Sequence, residues 1–241
     1  MKLFLSAPVA VACMGLSAFC LADSVNLNDQ VVTATRSSLS ASQGIASVSV
    51  IERADIERLQ ATSVAQLLRR VPGINITNTG GHGKNEALGI RGTNSNHVLV
   101  LIDGIRQGSA TTGDVALQNL PVEQIERIEV VRGPRSSLYG SEAIGGVIQI
   151  FTRRGEQQGA KPWASATAGS RNYHAGSAGV SGGLGNAWYN LGLTSMGTRG
   201  IDARPDAPSP EPDNDGYREE SANINAGYRF DNGLELDGHV I

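Results

Sequence analysis

The residues best suited to hydrolytic chemistry are one serine in a glycine-rich stretch and two later side chains. Gly179-Val180-Ser181-Gly182-Gly183 fits the G-x-S-x-G pattern of a nucleophile, and Asp202 and His239 follow in hydrolase order. That pattern requires a strand, a sharp turn and then a helix. Here the motif ends one alternating strand and another strand follows, so a secreted serine hydrolase using Ser181 is kept only as an alternative.

Other enzyme chemistries have weaker support. Gly83-Lys84 lacks both the upstream glycine and the following Ser or Thr of a phosphate-binding loop. The two cysteines, Cys13 and Cys20, lie in a segment predicted to be removed, so the mature chain has neither a disulfide nor thiol chemistry. We therefore expect the chain not to be an enzyme.

An acidic loop is a candidate for binding a hard cation. Five acids stand against the single Arg204: Asp202, Asp206, Glu211, Asp213 and Asp215. Clustered carboxylates suit calcium, although Tyr217 falls where an EF-hand needs an acid or amide. From the residues alone, a solvated outer loop stiffened by prolines is the alternative.

Two arginines flank a stiff turn. Arg132 and Arg135 enclose Gly133-Pro134, between strands predicted at Ile128–Val131, half-buried, and at Gly146–Phe151. Proline fixes its own φ and glycine permits a positive φ, so both arginines are held on a rigid frame. Taken alone, these residues favour a surface hairpin with solvated arginines.

The elements around this turn predict a small α/β core. Strands are expected at 46–51, 74–77 and 97–102, the last buried on both faces because it is uninterrupted and apolar. A helical turn is expected at 55–59. A helix is expected at 64–70, capped by Thr62-Ser63 and ended by Val71-Pro72-Gly73.

Longer alternating segments begin at Pro162. Strands are predicted at 163–169, 173–184, 187–196, 220–230 and 234–241. In the last one Leu234, Leu236 and Val240 share a face opposite Glu235, Asp237 and His239, as in a membrane β-barrel. A soluble β-sandwich is the alternative. The smallest membrane barrels have about 8 strands, so we expect 160–241 to be the first part of a barrel and the chain to be an N-terminal fragment.

The N-terminus predicts export. Met1 to Ala22 carries Lys2 and a long apolar run, which is typical of a signal peptide. A polar arm at 23–36 follows. Its segment Asp29-Gln30-Val31-Val32-Thr33-Ala34 is short and β-prone, so it could add to a sheet edge of another protein or be an ordinary first strand.

A family resemblance extends these predictions. VVRGPRSSLYGSEAIGGVIQIFT, at 130–152, resembles the end of the plug domain of TonB-dependent outer-membrane receptors. LLRRVPGI and IRGTNSNHVLVLIDGIR occur in the family's order, and the resemblance is closest to the receptors for vitamin B12 (cobalamin). It implies an α+β plug at 37–152, then the first strands of a transmembrane antiparallel β-barrel, in the outer membrane of a Gram-negative bacterium.

The same resemblance implies roles for particular residues. The segment 29–34 resembles the TonB box, the strand offered to the periplasmic protein TonB. Three outward loops would contact the ligand: Gly83, Lys84, Asn85 and Glu86; Asn94, Ser95 and Asn96; Gln107, Gly108 and Ser109 with the following Ala110 to Asp114. Small and amide side chains suit a neutral ligand rimmed by amides, whereas Lys84 and Glu86 depart from the expected pattern.

Two charged sets complete the implied site. Arg91, Arg132 and Arg135 resemble plug arginines that pair with acids on the barrel wall. Asp202, Asp213 and Asp215 resemble ligands of a calcium-binding outer loop, so calcium is the expected cofactor.

The expected function is TonB-energised import of a corrinoid, with a ferric siderophore or haem as the alternative ligand. The partners would be TonB, cobalamin and outer-membrane lipid. The net charge of −3 and the absence of a basic, aromatic-rich patch exclude nucleic acid.

Overall fold

The computed structural model describes residues 30–31, 39–40, 47–109, 115–155, 158–203 and 214–240. The predicted signal peptide and most of the polar arm lie outside this part of the chain. Among the described residues, no helix is both long enough and apolar enough to cross a membrane.

The first half of the described chain is an α+β domain. Its strands are β1 (Gln30–Val31), β2 (Leu39–Ser40), β3 (Ser47–Glu52), β4 (Ile74–Asn78), β5 (Glu86–Ile90), β6 (Val98–Ile102), β7 (Ile105–Gln107), β8 (Ile125–Arg132) and β9 (Gly146–Thr152). Its α-helices are α1 (Arg53–Leu59), α2 (Val64–Leu68) and α3 (Ser136–Tyr139), with short 3-10 helices at Ser95–His97, Leu117–Asn119 and Val122–Gln124.

The α+β domain is built on a mixed five-stranded sheet of order β3-β8-β9-β6-β7. Strands β6 and β9 are parallel and the other neighbours are antiparallel. A separate hairpin pairs β4 with β5, and another pairs Gln30–Val31 with Leu39–Ser40. The predicted helix 64–70 is shorter, ending at Leu68, and its expected cap is present because Ser63 Oγ accepts a hydrogen bond from Gln66 N.

Both faces of the central sheet are covered. One face packs with α1, α2 and the β4–β5 hairpin in the main core, and the other packs Leu99, Leu101 and Val147 against Ala143 and Tyr139. The prediction that β6 is buried on both sides is therefore confirmed. The prediction of a half-buried strand at Ile128–Val131 is wrong, because β8 lies in the middle of this two-sided sheet and even Glu129 is fully buried.

The second half of the described chain is one antiparallel sheet, the wall sheet. It contains β10 (Gly159–Ala168), β11 (His174–Leu184), β12 (Ala187–Thr198), β13 (Tyr217–Arg229) and β14 (Glu235–Val240), in sequence order. All five strands were predicted.

The wall sheet is polar towards the α+β domain and apolar on its other face. Asn190, Thr194, Asn223 and Asn225 are buried, whereas large apolar side chains are exposed: Leu184, Leu191, Leu193, Ile224, Leu236 and Val240. This inverts the pattern of a water-soluble domain and confirms the alternation predicted for β14.

Candidate ligand and coupling site

The tip of the β4–β5 hairpin, residues 79–85, is rich in glycine and lies against the wall sheet. Gly83 has φ +72°, and a Cβ placed on it would overlap the ring of Tyr217. Gly81 lies beside Ile201. Glycine is needed here both for the left-handed backbone and for the close approach. The tip therefore packs on the two ends of the acidic loop, residues 199–203 and 214–217, which together form the loop base.

An ion pair also connects the hairpin tip with the loop base. Lys84 Nζ lies 2.7 Å from Asp215 Oδ1, and the other oxygen of Asp215 accepts a hydrogen bond of 3.0 Å from Ala203 N. Next to this pair, His82 stacks on Tyr173 with 5.4 Å between ring centroids. Burial raises the pKa of the Tyr173 hydroxyl, with smaller contributions from Glu123 and Glu219.

A cavity of about 440 Å³ lies beneath the hairpin tip. Its lining comes from α2, the hairpin and the wall sheet, and includes Gln66, Glu86 and Glu219. Glu86 is buried. Its Oε1 accepts a hydrogen bond from Asn78 Nδ2 at 3.0 Å, while Oε2 has no partner among the described residues. The cavity therefore lies between the two domains, with the unpaired carboxylate oxygen of Glu86 among its lining atoms.

The predicted ligand loops fall into two groups. Asn94 and Asn96 are exposed beside the 3-10 helix that leads into β6, and Gly108 and Ser109 are exposed just after β7. The β6–β7 register pairs Val100 with Gln107, so residues 107–109 run back towards 94–97. These two loops converge at one end of the sheet. Residues 110–114 lie outside the described part of the chain.

The third predicted loop, residues 83–86, lies at the opposite end of β5 from Asn94. Gly83, Lys84 and Glu86 precede β5, whereas Asn94 follows its end. Gly83 contacts the wall sheet, Lys84 pairs with Asp215, and Glu86 is buried, which leaves Asn85 as the exposed member. A ligand-contacting role for this loop stays a prediction.

The three predicted plug arginines form no ion pair within the described ranges. The Arg132 guanidinium donates to Pro72 O at 2.8 Å and to Ser49 Oγ at 2.9 Å, both inside the α+β domain. Arg91 has a left-handed backbone and its amide donates to Gly73 O, and Arg135 Nε is buried without a partner in the described part. Pairing of these arginines with the wall stays a prediction.

Sequence reasoning missed two other arginines that do contact the wall sheet. Arg153 stacks on Trp163 at 4.6 Å and Arg154 on Trp188 at 5.0 Å, measured to the ring centroids. Arg154 also pairs with Glu235 at 3.1 Å. Burial, and then the nearby Arg53, lower the pKa of Arg153. The sequence feature that could have indicated these contacts is a pair of adjacent arginines directly after β9. The chain's two tryptophans follow in the next strands.

A polar network fastens the end of β9. Thr152 N and Oγ1 both donate to the Asp103 carboxylate, at 2.9 and 2.5 Å. From the wall sheet, Asn225 Nδ2 donates to Thr152 Oγ1 at 2.7 Å, and His239 Nδ1 lies 3.9 Å from Asp103 Oδ2. The C-terminal end of β9 is therefore linked both to Asp103 in its own domain and to the wall sheet.

The predicted calcium ligands are only partly described. Asp213 lies outside the described residues, and Asp202 and Asp215 belong to the loop base. Asp215 is already paired with Lys84, and within the described ranges no three His, Cys, Asp or Glu side chains form a metal-binding group. Because Asp213 lies outside the described part of the chain, the calcium hypothesis stays a prediction.

Two further predicted motifs, the TonB box and the serine motif at 179–183, have residues in strands of the described structure. Gln30 and Val31 of the predicted TonB box form β1, while Asp29, Val32, Thr33 and Ala34 lie outside the described residues. Ser181 lies within β11, paired with Asn190, and its strand continues to Leu184. The strand–turn–helix elbow of a hydrolase is therefore missing at Ser181.

Comparison with known proteins gives concordant matches. The family model for the TonB-dependent Receptor Plug Domain matches residues 40–147. The chain is 42% identical over 208 residues to the vitamin B12 transporter BtuB of Vibrio cholerae, covering 86% of this chain and 34% of the relative. With BtuB of Photobacterium profundum it is 39% identical over 220 residues, covering 90% of this chain and 35% of the relative. The chain thus spans about a third of these relatives' length.

Solved structures agree in fold. The pyoverdine outer-membrane receptor FpvA of Pseudomonas aeruginosa PAO1 matches with TM-score 0.72 and 18% identity, over 87% of this chain and 29% of that one. The ferric enterobactin receptor PfeA matches with TM-score 0.63 and 25% identity, over 80% and 32%.

Proposed function

This chain belongs to the TonB-dependent receptor family, and from that premise we propose that it supplies the plug and five wall strands of an outer-membrane transporter for vitamin B12. The observation that carries the ligand assignment is the 42% identity to a vitamin B12 transporter over 86% of the chain, which includes both domains. The siderophore receptors in the comparison are similar in fold at 18–25% identity.

The proposed binding surface is the end of the plug where Asn94–Asn96 and Gln107–Ser109 converge. Exposed amides there can donate and accept hydrogen bonds, and the glycine and serine leave room for a bulky ligand. A corrinoid carries amide groups at its rim, so it complements this surface without needing opposite charge. A ferric siderophore or haem is the second candidate within the same family, because receptors for ferric enterobactin and pyoverdine share this fold and the fold alone does not fix the ligand.

Transport would begin with ligand bound at this outward surface. We propose that occupancy makes the TonB box at 29–34 available in the periplasm, where TonB pairs with it as an added strand. Force on that strand would then rearrange the plug within the lumen and release the ligand inward. Several of the plug's contacts with the wall side are hydrogen bonds or ion pairs, such as Asn225 with Thr152 and Lys84 with Asp215, and these can exchange for water when the plug moves.

The test is ligand titration of the full-length protein in detergent with cyanocobalamin, a ferric catecholate siderophore and haem. We expect saturable binding of cyanocobalamin alone. Asn94→Ala combined with Asn96→Ala should weaken it about tenfold, the value of one or two lost hydrogen bonds. Asn232→Ala, at a turn that caps Leu234 N on the wall sheet, is the matched control and should leave affinity unchanged. Binding of the siderophore instead of the corrinoid would change the ligand assignment and leave the family intact.

A further inference from the structure

An ion pair between Lys84 and Asp215 joins the hairpin tip to the loop base. The roles predicted for these two segments do not account for it. Lys84 belongs to the plug, and Asp215 belongs to the loop base between β12 and β13, 131 residues later. Lys84 is one of three lysines in the chain, and its ammonium lies between the hairpin tip and the loop base.

Other contacts hold the backbone next to both Lys84 and Asp215. Asp215 N donates to Ile201 O at 2.9 Å, and Asp215 Oδ2 receives Ala203 N, so the carboxylate bridges the two ends of the loop base. On the other side, Gly83 lies against the Tyr217 ring and fixes the backbone next to Lys84. An exposed ion pair normally gains little because two flexible chains must be ordered. Here the backbones on both sides have already been ordered by other contacts.

We propose that Lys84 is a tethered cation that holds the base of the acidic loop on the plug. Its ammonium neutralises Asp215, and Asp215 in turn holds Ala203, so the loop base is ordered by the position of the plug itself. When the hairpin tip moves away, Asp215 loses its ion pair with Lys84, and the loop base loses this contact with the plug. The pair therefore couples plug displacement to the outer end of the wall. This inference does not depend on the identity of the ligand.

The test is hydrogen exchange of peptides covering 199–217 in ligand-free, full-length protein in detergent. Lys84→Met should accelerate exchange of the Ala203 and Asp215 amides about two- to fivefold, as expected for a partly exposed charged contact. Asp215→Asn should do the same, and the double variant should add no more than either single change. Lys161→Met, on β10, removes the same charge elsewhere and should leave these amides unchanged.

Each protein is measured in chelator and in millimolar calcium. Wild-type exchange should be the same in both conditions, because Lys84 supplies the positive charge next to Asp215. Restored protection of Lys84→Met by added calcium would support a requirement for a positive charge at this position. Wild-type protection that depends on calcium, with no effect of Lys84→Met, would overturn the proposal. Additive effects of the two single variants would also overturn it.

Discussion

At the residue scale, close packing of a glycine explains how the plug reaches the wall. Gly83 has two reasons to be glycine, a positive φ and the adjacent Tyr217 ring. Gly92 has only the first, because its φ is +82° and a Cβ there would meet no atom within 4 Å. Substituting alanine at each position therefore distinguishes the cost of backbone strain, present at both, from the cost of steric overlap, present only at Gly83.

We predict that Gly83→Ala costs about 2–5 kcal/mol of stability, combining left-handed strain of about 1–2 kcal/mol with overpacking of about 1–3 kcal/mol. Gly92→Ala should cost only the strain. Denaturant unfolding in detergent gives both values. Adding Tyr217→Ala should recover the steric part in the Gly83→Ala protein, and equal losses at positions 83 and 92 would contradict the contact.

Residue roles were the hardest feature to obtain from the sequence. Pairing of Arg132 with the barrel wall stays a prediction, and in the described part of the chain its guanidinium donates to Pro72 O and Ser49 Oγ, two partners that the sequence did not indicate. Partner choice by a long, charged side chain depends on which backbone carbonyls surround it. That information comes only from the tertiary fold.

At the element scale, periodicity was a reliable guide. The five wall strands and β6 were predicted because alternation, or an uninterrupted apolar run, reports directly on which faces are buried. Strands β5 and β7 were not predicted. They contain only five and three residues, too few for a clear alternating pattern. They are strands because they pair with β4 and β6, and this pairing is not visible in their composition.

The segment proposed as the TonB box gives the prediction at this scale. Gln30–Val31 is already a strand, so extended structure is compatible with this part of the segment. Val32→Pro should abolish energy-dependent uptake while surface binding persists, because proline lacks the amide donor and resists strand pairing. Val32→Ala keeps the amide and is the control. Uptake that continues unchanged in Val32→Pro would refute the TonB-box assignment.

At the scale of the whole molecule, the two domains have opposite distributions of polarity. The plug buries its apolar side chains in its own two-sided core. The wall sheet exposes them: Leu184 is 75% exposed and Leu193 is 65% exposed, while Asn190 is fully buried. Such a sheet needs apolar surroundings on one side and the polar plug on the other.

This difference predicts how the two parts behave when they are separated. The piece from Asp23 to Thr152 should be soluble and folded, since its main core uses only its own residues. The piece from Pro162 to Ile241 should aggregate in water, because it would expose the apolar face together with the open edges of β10 and β14. Size-exclusion chromatography and circular dichroism distinguish the outcomes. A monodisperse, folded 162–241 piece would mean that the sheet is a soluble β domain, since a lipid-facing wall has no means of covering Leu193, Ile224 and Leu236 in water.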